Sequence, residues 1–209
     1  MPPDPSADEP TPDIRSLRTL REAEAVCTRC PLYKNATQVV PGEGPAHAPL
    51  MLVGEQPGDR GDLAGHPFVG PAGQVLDRAI AEAGIARKQV FVTNAVKHFK
   101  FAPRGKRRLH QKPNAHEIDR CKWWNDFERA LVKPRLIAAR GAIAGRSVFG
   151  RTVTIGKMRG RVHHLDDGTA AIVTTHPSAL LRMPDAGAEA AAFKLLVRDL
   201  QLARDFIAA

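Results

Sequence analysis

Four short apolar runs, separated by helical patterns, constrain this chain more than any other feature. Leu50–Val53, Val90–Thr93, Leu136–Ala139 and Ala171–Thr174 have the length and character of buried strands. Between and after them apolar residues recur at helical spacing: over Ala72–Ala83, which Gly84 closes, in a stretch following Pro113, near Ala142–Val148, and over Ala188–Phe206. Strand and helix in alternation predict an α/β fold, a single domain with a mostly parallel central sheet of about four strands and helices on both faces. Asp167-Gly168 is placed to turn a hairpin between Arg161–Leu165 and the last strand. At the start, Asp13 is expected to cap a helix on which Leu17, Leu20 and Ala23 share a face and which runs into Cys27-x-x-Cys30-Pro31. Residues 1–12 are rich in Pro, Asp and Glu and are expected to form a disordered tail, leaving residues 13–209 as the folded domain.

In an open parallel sheet, ligands bind beyond the carboxyl ends of the strands. Three polar motifs fall there: Gly54-Glu55-Gln56-Pro57-Gly58-Asp59, Thr93-Asn94, and Thr175-His176-Pro177-Ser178. The first either is a plain turn or brings backbone close to a ligand at which Glu55, Gln56 and Asp59 point. Its continuation, Gly65-His66-Pro67-Phe68-Val69-Gly70-Pro71-Ala72-Gly73, holds an aromatic ring in a stiff loop, where Phe68 can stack on a base. His176 either is a core histidine at a helix start capped by Ser178, or donates to a phosphate or a base carbonyl. Gly105-Lys106-Arg107-Arg108-Leu109-His110 reads as an exposed basic loop, either merely solvated or gripping phosphates beside His110.

The net charge of +9, from 31 Lys and Arg against 22 Asp and Glu, favours a polyanionic partner without proving one. Three cysteines, an odd number, and no signal-peptide pattern argue against a disulfide framework and for a cytoplasmic protein. No apolar stretch approaches the roughly 20 residues that cross a bilayer, so no membrane is expected, and the chain is expected to act as a monomer. Cys27-x-x-Cys30 has metal-ligand spacing, Cys121 can add a third ligand and His98 a fourth; three inert buried thiols fit the same residues.

Taken together, Cys27-x-x-Cys30-Pro31, Gly54-Glu55-x-Pro57-Gly58, Gly65-x-Pro67-Phe68-Val69-Gly70-x-Ala72-Gly73, Thr93-Asn94-x-Val96-Lys97 and His176-Pro177-Ser178 resemble the iron-sulfur uracil-DNA glycosylases of family four. Two departures narrow the resemblance to the UdgX subgroup. His98 stands where family four has its third cluster cysteine, and the Lys106-Arg107-Arg108-Leu109-His110 stretch is inserted before Cys121. Gln56, where family four has alanine, also matches that subgroup.

The resemblance implies uracil-containing DNA as substrate, free uracil as product, and a four-iron, four-sulfur cluster on Cys27, Cys30, His98 and Cys121. It implies that Phe68 stacks on a flipped-out uracil, that Asn94 reads its pairing edge, and that His176 stabilises the departing base. Glu55, Gln56 and Asp59 would shape the sugar side, with Gly54 and Ser178 lining the pocket and Lys106, Arg107 and Arg108 holding phosphate. His110 would bond to C1′ of the deoxyribose, ending the reaction as a covalent adduct. Like-charge repulsion from the three preceding cations would favour a neutral, nucleophilic His110. A conventional glycosylase that turns over with water, and a non-catalytic nucleic-acid-binding protein with structural zinc, remain the alternatives.

Overall fold

The four apolar runs become four parallel strands of one sheet. The computed structural model describes residues 13–209, so the tail expected over residues 1–12 lies outside the described residues. The strands are β1 (Leu50–Gly54), β2 (Val90–Asn94), β3 (Phe101–Arg104), β4 (Arg107–His110), β5 (Leu136–Arg140), β6 (His163–His164) and β7 (Ala170–Thr174). The main sheet has the order β2-β1-β5-β7-β6, while β3 and β4 form a separate hairpin. The helices are α1 (Leu17–Ala25), α2 (Asp59–Ala64), α3 (Pro71–Glu82), α4 (Ala115–Val132), α5 (Ala142–Phe149), α6 (Ile155–Met158), α7 (Pro177–Leu180) and α8 (Ala186–Ala208).

Both faces of the sheet are dry, as uninterrupted apolar strands require. Leu50, Leu52, Val90, Val92, Leu136 and Ile172 pack with Leu76 and Ile80 of α3 and Leu196 and Leu200 of α8. The alternate residues Met51, Val53, Phe91, Ile137 and Ala171 turn to the other face, against Val132 of α4 and Val148 of α5. A one-residue slip in any strand would exchange these two sets, so the α3–α8 and α4–α5 layers fix the register together.

The sheet has five strands rather than four. β6 pairs antiparallel with β7 through the turn at Asp167-Gly168, where Gly168 has φ +82°. The first helix is capped by Ser16, not Asp13: Ser16 Oγ accepts the Thr19 N–H and the Thr19 side chain answers in a capping box. Asp13 pairs with Arg15 instead, at 2.7 Å. The basic stretch expected as a loop is a hairpin, with Arg104 opposite Arg107 and only Gly105-Lys106 between them. Gly105, at φ +58°, supplies the left-handed conformation that a two-residue hairpin turn needs.

Behind the sheet lies a buried polar knot centred on Glu128 of α4. Its carboxylate accepts from Lys97 Nζ at 2.7 Å, Thr93 Oγ1 at 2.9 Å, the Gly42 N–H at 3.0 Å and Asn125 Nδ2 at 3.1 Å. Asn125 Nδ2 also donates to the carbonyl of Asn94 at 3.0 Å, so the knot holds the end of β2 in place. Lys97 and Glu128 are both fully buried. Glu128→Ala is expected to cost about 3–5 kcal/mol, because it leaves the lysine charge without its nearest partner. Guanidinium unfolding checks this, and Glu128→Gln, which keeps an acceptor, should lose less.

Candidate active site

The carboxyl ends of the parallel strands open onto a cavity of about 800 Å³. Glu55 and Gln56 enter it from the turn after β1, Asp59 from the start of α2, Phe68 from the loop before α3, and Asn94 from the end of β2. His110 comes from the end of β4, and His176 and Ser178 from the segment after β7. Lys112 and Arg182, which the sequence did not single out, also line the cavity and add positive charge. Lys106 and Arg107 are exposed at the hairpin tip and, like Gly54 and Arg108, are not among its lining residues.

Phe68 sits at φ +60°, a conformation that costs a bulky residue about 1–3 kcal/mol. The surrounding glycines hold it there. A Cβ on Gly73 would fall 1.5 Å from the Phe68 carbonyl oxygen, and one on Gly54 would fall 2.7 Å from its ring and 2.4 Å from Asn94 Oδ1. The ring and the amide therefore meet over a strand end that carries no side chain. Asn94 Oδ1 is buried with no donor facing it.

His176 caps α7 itself, in place of the expected Ser178. Its Nδ1 accepts the Ser178 N–H at 3.2 Å and lies 2.8 Å from Ser178 Oγ. The proton of the neutral ring is thereby left on Nε2, which becomes the donor. Burial, then the charges of Arg140 and Arg182, push the His176 pKa down to about 3, so the ring is neutral at physiological pH.

The hairpin is fastened by two devices. Gln56 Nε2 donates to the carbonyls of Lys100 (3.2 Å) and Gln111 (3.0 Å), while its Oε1 accepts the Lys100 N–H at 3.0 Å. Both feet of the hairpin are thus tied to the turn after β1. Arg108 reaches Asp59 and the buried Asp62, each at 2.6 Å, with its guanidinium 5.1 Å from the Phe101 ring centroid. Its charge is engaged within the molecule. His110, opposite Phe101 in the hairpin, places Nε2 3.0 Å from Glu55 Oε1, off the line of a hydrogen bond, so that oxygen stays without a donor. Of the three cations expected to crowd His110, Arg108 is paired elsewhere, and a carboxylate stands beside the imidazole.

Cys27, Cys30 and Cys121 gather in the apolar cluster where α1 meets α4. Trp124 Nε1–H donates to Cys27 Sγ at 3.1 Å and the Lys97 N–H to Cys121 Sγ at 3.2 Å. Burial pushes the Cys30 and Cys121 thiols up, Cys121 far above the usual thiol range. His98 follows Lys97 in a buried position, where burial lowers its pKa and Asp62 opposes that effect. Among the described residues no three His, Cys, Asp or Glu side chains are grouped to hold a single metal ion. Three soft sulfurs in one apolar cluster, two of them receiving N–H donors, are a donor set that either an iron-sulfur cluster or a zinc ion would take.

The half-buried His176 ring gives a pH dependence with a definite sign. Its pKa is about 3 in the folded protein against about 6.5 in an unfolded chain. The unfolded state takes up the proton first, so the stability present above about pH 6.5 is lost as the pH falls toward 3. Wild-type protein should therefore lose stability relative to His176→Gln between about pH 6.5 and about pH 4. A difference in denaturation midpoint that stays constant across that range contradicts the neutral ring.

Comparison with known proteins agrees with this architecture. Residues 41–201 match the uracil DNA glycosylase superfamily. The chain is 36% identical over 192 residues to a type-4 uracil-DNA glycosylase of Thermotoga maritima, covering 91% of this chain and 94% of that one. It is 35% identical over 175 residues to a type-4 uracil-DNA glycosylase of Pyrobaculum aerophilum, covering 80% and 86%. A type-5 uracil-DNA glycosylase of the latter organism is 31% identical over 159 residues, covering 68% and 66%. On its sequence match and its fold, the chain belongs to the uracil-DNA glycosylase superfamily.

Proposed function

We propose that this protein excises uracil from DNA and then retains the deoxyribose covalently on His110, as the UdgX subgroup does. The observation that carries the reading is the position of His110: on a pinned hairpin, in the wall of the cavity that holds Phe68 and Asn94, 3.0 Å from the Glu55 carboxylate.

A flipped uracil stacks on Phe68 and gives its N3–H to Asn94 Oδ1, the buried acceptor that otherwise has no donor. The C1′–N1 bond breaks with both electrons leaving on the uracil, and the neutral His176 supports that negative charge through Nε2–H. The sugar is left electron-poor at C1′. A lone pair of the His110 imidazole forms the new bond, and the Glu55 carboxylate takes the ring proton, so the linked imidazole ends neutral. Gln56 offers water no base, because its amide is neutral and bonded at both ends to the hairpin. Lys112 and Arg182 attract the DNA phosphates.

We also assign Cys27, Cys30, Cys121 and His98 as ligands of one four-iron cluster, which would tie α1 to α4 and take no part in bond breaking. Iron and acid-labile sulfide in the purified protein, with visible sulfur-to-iron absorbance lost in Cys121→Ser, support this; stoichiometric zinc would refute it.

Mixing the protein with a uracil-containing oligonucleotide and running a denaturing gel tests the main reading. Wild type should release uracil and leave a slow-migrating protein-DNA band, whereas His110→Ala should release uracil without that band. Uracil release without a shifted band in the wild type would establish ordinary turnover with water. No release at all would end the glycosylase reading.

A further inference from the structure

Arg140 ends β5 on the edge of the sheet that carries the cavity, and by volume it is the largest fully buried side chain among the described residues. Its Nε, Nη1 and Nη2 are all buried without a hydrogen-bond partner. Other buried charges have an opposite charge at hand: Lys97 pairs with Glu128, Asp62 with Arg108, Glu117 with Lys100 and Asp199 with Arg159, and even Glu24, likewise without a hydrogen bond, stands 3.9 Å from Lys97 Nζ. A guanidinium whose five N–H donors are all unmet in the interior needs a reason beyond packing.

What Arg140 does meet is Phe68. Its Cζ lies 4.0 Å from the centroid of that ring. The next residue, Gly141, lies against His176, where an added Cβ would stand 3.4 Å from the His176 Cβ. The end of β5 therefore backs both the stacking ring and the histidine that faces the departing base. Burial pushes the Arg140 pKa down to about 9, with Asp77 acting against the shift, so the group remains a cation at neutral pH.

We infer that Arg140 is a positioning residue for base excision, holding the plane of Phe68 by a cation-π contact and lending a buried positive charge to the uracil anion as it departs. This rests on the glycosylase reading above. A base stacked on the cavity side of the ring lies roughly 7–8 Å from the guanidinium, with an aromatic ring rather than water between them. As the C1′–N1 bond breaks, its electron pair passes to the uracil, and a cation fixed in a dry site favours that charge without having to reorganise. With no carboxylate paired to it, the charge of Arg140 is not spent on a neighbour.

The test is the dependence of single-turnover excision on the leaving group, using oligonucleotides that carry uracil or 5-fluorouracil. Fluorine stabilises the departing anion, so the fluorinated base depends less on an external cation. Arg140→Met should slow uracil release on the order of tenfold and 5-fluorouracil release clearly less, while Arg140→Lys should restore most of the uracil rate. A purely structural role would slow both bases equally and would not be rescued by lysine, and that result overturns the inference. Arg140→Met should also unfold at the same or a higher denaturant concentration, since an apolar chain replaces an unpaired buried charge; marked destabilisation would show that the guanidinium is satisfied in solution and would overturn it too. Failure of the wild type to release either base would refute the glycosylase reading, and this inference with it, whereas normal wild-type release with an unchanged preference in Arg140→Met refutes the inference alone.

Discussion

Phe68 and Asn94 meet at the cavity because no side chain fits at Gly54 behind them. A Cβ there would collide with Asn94 Oδ1 at 2.4 Å and with the Phe68 ring at 2.7 Å. Gly54 pairs with Asn94 at the last register position of β1 and β2, so this contact closes the sheet and opens the site at once. A larger residue would part the ring from the amide, and with them the two surfaces that suit a flat base carrying one N–H donor. The cost of the arrangement is the left-handed backbone of Phe68, met by the close packing of Gly73 beneath its carbonyl. Function thus sits on a strained loop held against a rigid strand end.

Around that contact, polar groups divide between holding the site and working in it. The Glu128 knot fixes the end of β2 from behind, and Gln56, Arg108, Asp59 and Asp62 fix the hairpin from the side. Each of these groups is satisfied by the protein. Asn94 Oδ1 and Glu55 Oε1, and the guanidinium of Arg140, are not. In a folded interior such unmet groups are uncommon; the Glu24 carboxylate and Arg129 Nε are others, away from the cavity, but these three lie within or directly behind it, where a ligand would meet them.

The layered fold was legible in the sequence because burial on both faces writes itself as uninterrupted apolar runs, and Asn94 and His176 were legible because each lies within two residues of the end of such a run. The hairpin was not. Its strands carry charge on exposed positions and show no apolar alternation, so the only signal was Gly105-Lys106, a glycine at the first place of a two-residue turn. The partners of Arg108 lie 49 and 46 residues away in the chain, beyond the reach of any local pattern, so a cation that anchors the hairpin read as one that binds phosphate. Asp13 read as the cap of the first helix, and Ser16, whose side chain and that of Thr19 form the reciprocal cap, was missed. Arg140 went unremarked in the sequence, because a sequence does not state that a charge is buried.

The central claim, that the excision site and the nucleophile belong to one chain and meet in one cavity, is tested most directly by mass spectrometry of the protein after reaction with a uracil-containing oligonucleotide. Nuclease digestion followed by proteolysis and fragmentation should place an added deoxyribose remnant on the imidazole of His110, in a peptide spanning the end of β4. A remnant on any other residue, or intact protein of unchanged mass alongside released uracil, would contradict the account.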